Sequence, residues 1–319
     1  MQEEHHEYDQ HEEHDRQLRL PEQLQEPLEH LIPGAGLTVG RSTVAITNAE
    51  RSGDWVVGRL HRQFLHVGGD PTLDLSVAPL DRGVPADGAV AFDSGLGWRV
   101  VETTDGWSFV GLRASRAYHA IAVDREWRTG TVFLPARLRA GIACPFPVAY
   151  PWEMLLFTSL LAHGHGAIVH ATAVVVDGAG WVFAGPHRAG KSTLARLFKT
   201  RPDVTVLNDD RVAVRHVLGR WHVFGTPWAG SARLNADASA PIRGVCLIRH
   251  GRATRPTRLA PGRAAAALLA RCLHPYWERA AASKLLDTIA RLVTEVPCYD
   301  FPFAPRLGSV LRGLQAAER

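Results

Sequence analysis

Trp181-Val182-Phe183-Ala184-Gly185-Pro186-His187-Arg188-Ala189-Gly190-Lys191-Ser192 is the stretch on which the fold turns. An apolar run of strand character enters a turn bounded by two glycines, and helical spacing begins at Lys191. Residues Gly185 to Ser192 fit GxxxxGK[ST] in the strand, loop and helix context that makes this pattern a phosphate cradle. Loop amides and the helix N-terminus favour negative charge, Lys191 would reach the β- and γ-phosphates, and Ser192 would hold Mg²⁺ through its hydroxyl. Pro186, His187, Arg188 and Ala189 inside the loop, and Thr193 after it, complete the expected nucleotide contact. The chain has only three lysines, Lys191, Lys199 and Lys284, and one of them stands here. The bland alternative is a glycine turn that matches by chance, with Arg188 and His187 simply solvated at its tip.

Downstream, an apolar run at 204–207 delivers Asn208-Asp209-Asp210-Arg211 to a strand end. One carboxylate, Asp209, suits a metal; the other, Asp210, suits the general base that hydroxyl phosphorylation needs. Neighbouring side chains on a strand face opposite ways, so both can serve only if the chain turns there. An acidic turn is the competing account. Upstream, strand character starts at Ile168 and places His170 on an apolar run, where a histidine by itself is more often a satisfied core residue. His163 and His165 form an HxH pair with no companion acids or cysteines, and Mg²⁺ prefers oxygen ligands.

The order His170, strand-turn-strand, glycine loop, then Asp209-Asp210-Arg211 resembles the catalytic core of HPr kinase/phosphorylases, whose fold is shared with phosphoenolpyruvate carboxykinases. The resemblance covers about residues 165–250. It implies a catalytic histidine at His170, a phosphate-binding lysine at Lys191, a metal-binding serine at Ser192 and a proton-accepting carboxylate at Asp210. Thr193 stands where that family usually has glutamate, and Pro241 where an acidic metal ligand is expected, which puts the phosphorolysis half of the family activity in doubt. Gly225-Thr226-Pro227-Trp228-Ala229-Gly230, with Arg233 and Asn235, looks like the divergent HPr-kinase-like proteins found beside peptide-tailoring enzymes, including those that phosphorylate lasso-peptide precursors.

Outward from this core, the chain divides into an arm at 1–30, a β-rich N-terminal domain at 31–145 and the nucleotide-binding kinase domain at 146–319. The expected class is α/β, an HPr-kinase/PEP-carboxykinase-like P-loop core with a smaller β-rich domain. The arm carries ten acids and two bases and too few apolar residues to offset its ordering entropy. His5, His6, His11 and His14 are irregularly spaced within it and read as solvated. Short β-like runs at 37–46, 55–60, 89–92, 98–101, 107–112 and 120–123 predict a mostly antiparallel module, with Asp93 and Asp105 as turn residues. A helix is expected at 152–162, strands at 212–217, 221–224 and 245–248, and helices at 263–273 and 278–293.

Outside the arm the 34 basic and 22 acidic residues leave a charge of +12, which favours anionic partners. No nucleic-acid recognition motif accompanies that charge, so nucleic acid is not expected as a partner. Four dispersed cysteines without a CxxC pair, and the absence of an apolar signal or spanning segment, predict a cytoplasmic protein with reduced thiols and no membrane association. The leading expectation is an ATP- and Mg²⁺-dependent Ser/Thr kinase acting on a peptide or small protein that carries the acceptor hydroxyl. A small-molecule kinase or carboxykinase-like enzyme would use the same core, and a regulatory nucleotide-binding module would need no free base. ATP against GTP, and homo-oligomer formation, stay open.

Overall fold

The computed structural model describes residues 28–30, 35–48, 55–135 and 144–318. In chain order the elements are β1 (Leu28–His30), β2 (Ala35–Val39), β3 (Ser42–Asn48), β4 (Trp55–Gly58), α1 (Arg59–Arg62), β5 (Leu65–Val67), β6 (Leu73–Pro79), β7 (Ala89–Asp93), β8 (Trp98–Glu102), β9 (Gly106–Arg113), β10 (Arg116–Asp124), β11 (Thr129–Leu134) and β12 (Cys144–Pro145). There follow α2 (Trp152–His163), β13 (Gly166–Val176), β14 (Ala179–Ala184), α3 (Lys191–Lys199), β15 (Thr205–Asn208), β16 (Arg211–Val217), β17 (Arg220–Phe224), β18 (Ser239–His250), β19 (Thr257–Arg258), α4 (Pro261–Leu269), α5 (Arg279–Glu295), β20 (Cys298–Phe303) and α6 (Leu307–Ala317). The class is mixed α/β, with two large mixed sheets and six helices among the described residues.

The first large sheet runs β5-β2-β3-β6-β11-β10-β9-β8-β7. It is antiparallel except where β6 lies parallel to β3 and to β11. The run expected as one strand at 37–46 is a hairpin, because Gly40 and Arg41 both adopt positive φ, the geometry of a two-residue turn, and pair Val39 with Ser42. The run expected to 60 stops at Gly58, where Arg59–Arg62 turn into a short helix. Asp93 is a turn residue as expected, its carboxylate accepting the amide of Gly95 at 2.8 Å. Strands β6 and β11 are additional to the runs expected from the sequence.

The arm reading is corrected at its end. Leu28–His30 pairs with β4 instead of trailing in solvent, since β4 offers it an open edge, and Cys144–Pro145 takes the other edge. Residues 1–27, including the four arm histidines, lie outside the described residues.

The second large sheet follows β14-β13-β16-β17-β18-β20-β19, with β15 on β13 and a further parallel pairing of β14 with β18. Its long strands change partners along their length: one edge of β13 pairs with β16 over 166–170 and with β15 over 173–175, while the other pairs with β14 over 171–176. Helices α4 and α5 pack one flank through Ala264, Leu268, Ala281, Leu285, Ile289 and Leu292, and α3 and α6 pack another through Leu194, Phe198, Val310 and Leu314. The α5 residues recur at helical spacing, and each buried Leu or Ile contributes about 1.5–3 kcal/mol. The helix expected at 263–273 ends at Leu269, because the following backbone bonds to β13.

The two halves share one hydrophobic core. Leu37, Phe109 and Val132 of the first sheet and Trp127 of its β10–β11 turn pack in a cluster with Trp152, Phe157 and Leu160 of α2 and with Ile168, Ala213 and Trp228 of the second half. A cut at 145–146 therefore passes through a continuous interior. Cys246, Cys272 and Cys298 are free and buried, and none of the helices of the described residues is long and apolar enough to cross a membrane.

Candidate functional site

Strand β13 sets the register of everything around it. His170 is paired with Arg211, Ala171 with Ala184 at the end of β14, and Ala173 with Asn208 at the end of β15. The glycine loop thus leaves its strand beside His170, and Asp209 and Asp210 form the break between two strands that run along the same edge of β13. Three segments far apart in sequence meet because one strand pairs with all of them.

The loop needs its glycines. A Cβ on Gly185 would lie 2.8 Å from Ile248 Cγ1 and 2.9 Å from the Ile248 carbonyl oxygen. Gly190 has φ +100, and a Cβ there would lie 2.8 Å from Phe303. Gly190 opens α3 with no side-chain cap, and no acidic residue stands in the first turn, so the amide end of the helix carries no competing anion. Lys191 is only 7 % exposed and folds back over the loop, its Nζ donating to the carbonyls of Gly185 and Pro186 at 3.0 Å each. An ammonium has three protons, so one donor remains for an anion seated in the loop. Pro186, His187, Arg188 and Thr193 are exposed, Ala189 is buried and Ser192 is half-buried. The Arg188 carbonyl is tied to His250 Nε2 at 2.8 Å, which steadies the tip.

Asn208 makes the turn that two working carboxylates require. It is fully buried, and its Oδ1 accepts the amides of Asp210 and Arg211 at 2.8 and 2.9 Å. Its Nδ2 donates to the Thr226 carbonyl at 2.8 Å. This side-chain turn sends Asp209 and Asp210 to different surroundings. Asp209, expected at the metal, is 1 % exposed, and both its oxygens accept backbone amides, from Gly230 and Ala232 at 2.8 Å and from Leu234 at 3.3 Å. That geometry gives Asp209 the task of pinning the 230–234 loop. Gly230 is needed there because a Cβ would lie 2.8 Å from Asp210 Cβ.

Asp210 is the carboxylate turned toward the site. His170 Nε2 lies 2.9 Å from its Oδ1, and since a carboxylate only accepts, the ring donates. Its Oδ2 accepts from Arg211 Nη1. Burial by itself raises the Asp210 carboxyl, but the His170 hydrogen bond and the charges of Arg211, His170 and Lys191 outweigh it and hold the group below its ordinary value. Burial lowers the Lys191 ammonium, Asp210 opposes that shift, and Arg271 adds to it. The Arg271 carbonyl accepts the His170 amide at 2.7 Å, which brings the segment after α4 to the same place.

His170, Lys191, Ser192 and Asp210 are therefore neighbours of one loop and one strand, whereas Asp209 is spent on backbone. His163, weighed with His165 as a metal pair, sits elsewhere, 2.7 Å from Glu278 and 3.2 Å from Lys284 Nζ. Among the described residues no group of three or more His, Cys, Asp or Glu is placed to hold a metal. The oxygens within reach of the loop, Ser192 and Asp210, still suit a hard cation that keeps waters and phosphate oxygens as its other ligands. Sequence reasoning named Asn208, Thr226 and Gly230 within their runs without giving them these roles, and it missed Arg271, which enters only through tertiary contacts. Two comparisons with known proteins add no neighbour, as no family model matches the chain and no curated protein matches it.

Proposed function

We propose that the chain binds ATP on residues 185–193 and transfers the terminal phosphate to a hydroxyl of a peptide or small protein, as an HPr-kinase-like enzyme with a P-loop core. The observation that carries this reading is the register of β13, which sets His170 beside the glycine loop and opposite Arg211 while Asp210 bonds His170. A binding module has no use for a carboxylate kept ionised beside a phosphate cradle; a phosphoryl transfer to a hydroxyl does. Asp210 accepts the hydroxyl proton as transfer proceeds. His170 orients that carboxylate and shares the proton, and Arg211 holds the second oxygen. Lys191 turns its remaining donor on the migrating charge. Mg²⁺, held through Ser192 with Asp210 at hand, would neutralise charge on the phosphate oxygens. The free, buried thiols of Cys246, Cys272 and Cys298 support a cytoplasmic setting.

The test is incubation with γ-labelled ATP and a library of hydroxyl-bearing peptides, for the wild type and Lys191→Ala. Label should pass to a Ser- or Thr-containing peptide, and the variant should lose at least about 10²-fold in rate and bind nucleotide more weakly. Unchanged transfer by Lys191→Ala would remove the loop from the mechanism. Nucleotide binding with no transfer to any peptide or small alcohol would favour a regulatory module.

A further inference from the structure

The edge of β13 that pairs with β14 from Ala171 onward is also occupied before that point. Val169 is paired with Val212 of β16 on one side and bridges Cys272 on the other, so the segment after α4 lies on the β14 edge. There the His170 amide donates to the Arg271 carbonyl at 2.7 Å, and the Leu273 amide donates to the Ile168 carbonyl at 2.9 Å. Strand β14 ends at Ala184, opposite Ala171, and the chain then departs as the glycine loop. The position in the sheet that Gly185 leaves, opposite His170, is thus taken over by Arg271, which stands at the junction of the loop root and β13.

The backbone of Arg271 does the work of holding it there, which leaves its side chain to another task. The residue is half-buried, its Nη1 donates to the adjacent Ala270 carbonyl at 3.0 Å, and no carboxylate pairs with it among the described residues. Arg211, by contrast, is bonded to Asp210. A guanidinium carries five donors, so a single bond to a carbonyl leaves most of them for a ligand. The positive charge of Arg271 acts on Lys191 and, with burial, disfavours its ammonium. Two cations close enough for one to oppose the other's charge are stabilised by an anion between them.

We propose that Arg271 is a nucleotide-binding residue, which takes oxygens of the terminal phosphate beside Lys191 and gives the cradle a preference for a triphosphate over a diphosphate. The assignment rests on the reading of residues 185–193 as a phosphate cradle. Lys191 spends two of its donors on the Gly185 and Pro186 carbonyls, and the one that remains cannot satisfy a terminal phosphate. A planar guanidinium supplies paired donors that match phosphate oxygens, and its charge does not depend on pH in the working range.

ATP and ADP, each with Mg²⁺, are titrated by calorimetry against the full chain as wild type, Arg271→Gln, Arg271→Lys and Arg279→Gln, the last an exposed arginine at the start of α5. Wild type should bind ATP more tightly than ADP. Arg271→Gln should weaken ATP about tenfold or more and ADP by less than about twofold. Its melting temperature should be unchanged, because the carbonyl that bonds His170 survives the substitution. Arg271→Lys, which keeps the charge and loses the fork, should recover part of the ATP affinity. Arg279→Gln should leave both affinities as they are. Equal weakening of ATP and ADP in Arg271→Gln overturns the proposal, and so does an ATP loss of the same size in Arg279→Gln, which would reduce the effect to net charge. A wild type that binds ATP while Arg271→Gln matches it loses only the role of Arg271. A wild type that binds neither nucleotide loses the cradle reading, and the role of Arg271 falls with it.

Discussion

Each large sheet carries a histidine on an apolar strand, and the two have opposite fates. His119 on β10 is buried, stacked on Trp152 with ring centroids 4.7 Å apart, and bonded through Nε2 to the Pro147 carbonyl at 2.7 Å. Burial pushes its pKa down to about 4, against the Pro147 bond, which raises it, so the ring is neutral at ordinary pH. His170 on β13 keeps a side chain 34 % exposed and faces the carboxylate of Asp210. The difference lies in what meets each strand. Strand β10 shifts register against β9 between Ala117 and His119, and its pairing with β11 begins only at Ala120, but the ring there is covered by Trp152 and Pro147; beyond His170, β13 passes from β16 to β15 on one edge, and the turn between those strands brings in a carboxylate. Both histidines stand where strand pairing is irregular, and their fates are set by what fills the irregularity: an aromatic ring and a carbonyl at His119, an ionised carboxylate at His170.

The strongest way to break this contrast is Asp210→Asn, which keeps size and polarity but removes the negative charge. Phosphate transfer should fall by about 10² to 10⁴ with Mg·ATP affinity near normal. Single-turnover transfer and nucleotide titration, measured on the same preparation, check it. A normal rate would leave His170 as inert as His119.

A sharper division within the second sheet comes from Asp209→Ala. Three partly buried amides would lose a charged, buried acceptor, so stability should drop by about 3 kcal/mol in urea denaturation. Unchanged stability with only a raised Mg²⁺ requirement would return Asp209 to the metal.

The smallest effect comes from the first sheet. The folded pKa of His119 lies below the unfolded value of 6.5, so the unfolded chain binds more protons between those values, and stability falls as pH drops from 6.5 toward 4. Between pH 7 and pH 5 this amounts to about 2 kcal/mol. His119→Phe should remove that slope and cost ~1 kcal/mol at pH 7 by leaving the Pro147 carbonyl without its donor. Equal pH slopes for variant and wild type in urea denaturation would show that His119 titrates normally.

The local elements were readable where the pattern is local. Strand, glycine loop and helix at 181–199, the amphipathic α5 and most strands of the first sheet follow from periodicity and turn chemistry. Among the elements that escaped are β6, β11, β20 and α6; β6 alternates Leu73, Leu75 and Val77 after the Gly68-Gly69-Asp70-Pro71 turn, a signal present in the sequence but not used. Gly40-Arg41 escaped because a positive φ at arginine is imposed by the hairpin, not by the residue.

By itself the sequence determined that Gly185 to Ser192 can cradle phosphate and that two carboxylates follow a strand, because both depend on neighbours within a few residues. Only the tertiary structure decided which carboxylate faces the site. That choice depends on Asn208 turning the chain, on Gly230, Ala232 and Leu234 supplying amides to Asp209, and on β13 placing His170 against Asp210. Such contacts join residues up to forty positions apart, and no pattern along the chain encodes hydrogen bonds that exist only once the strands are in register.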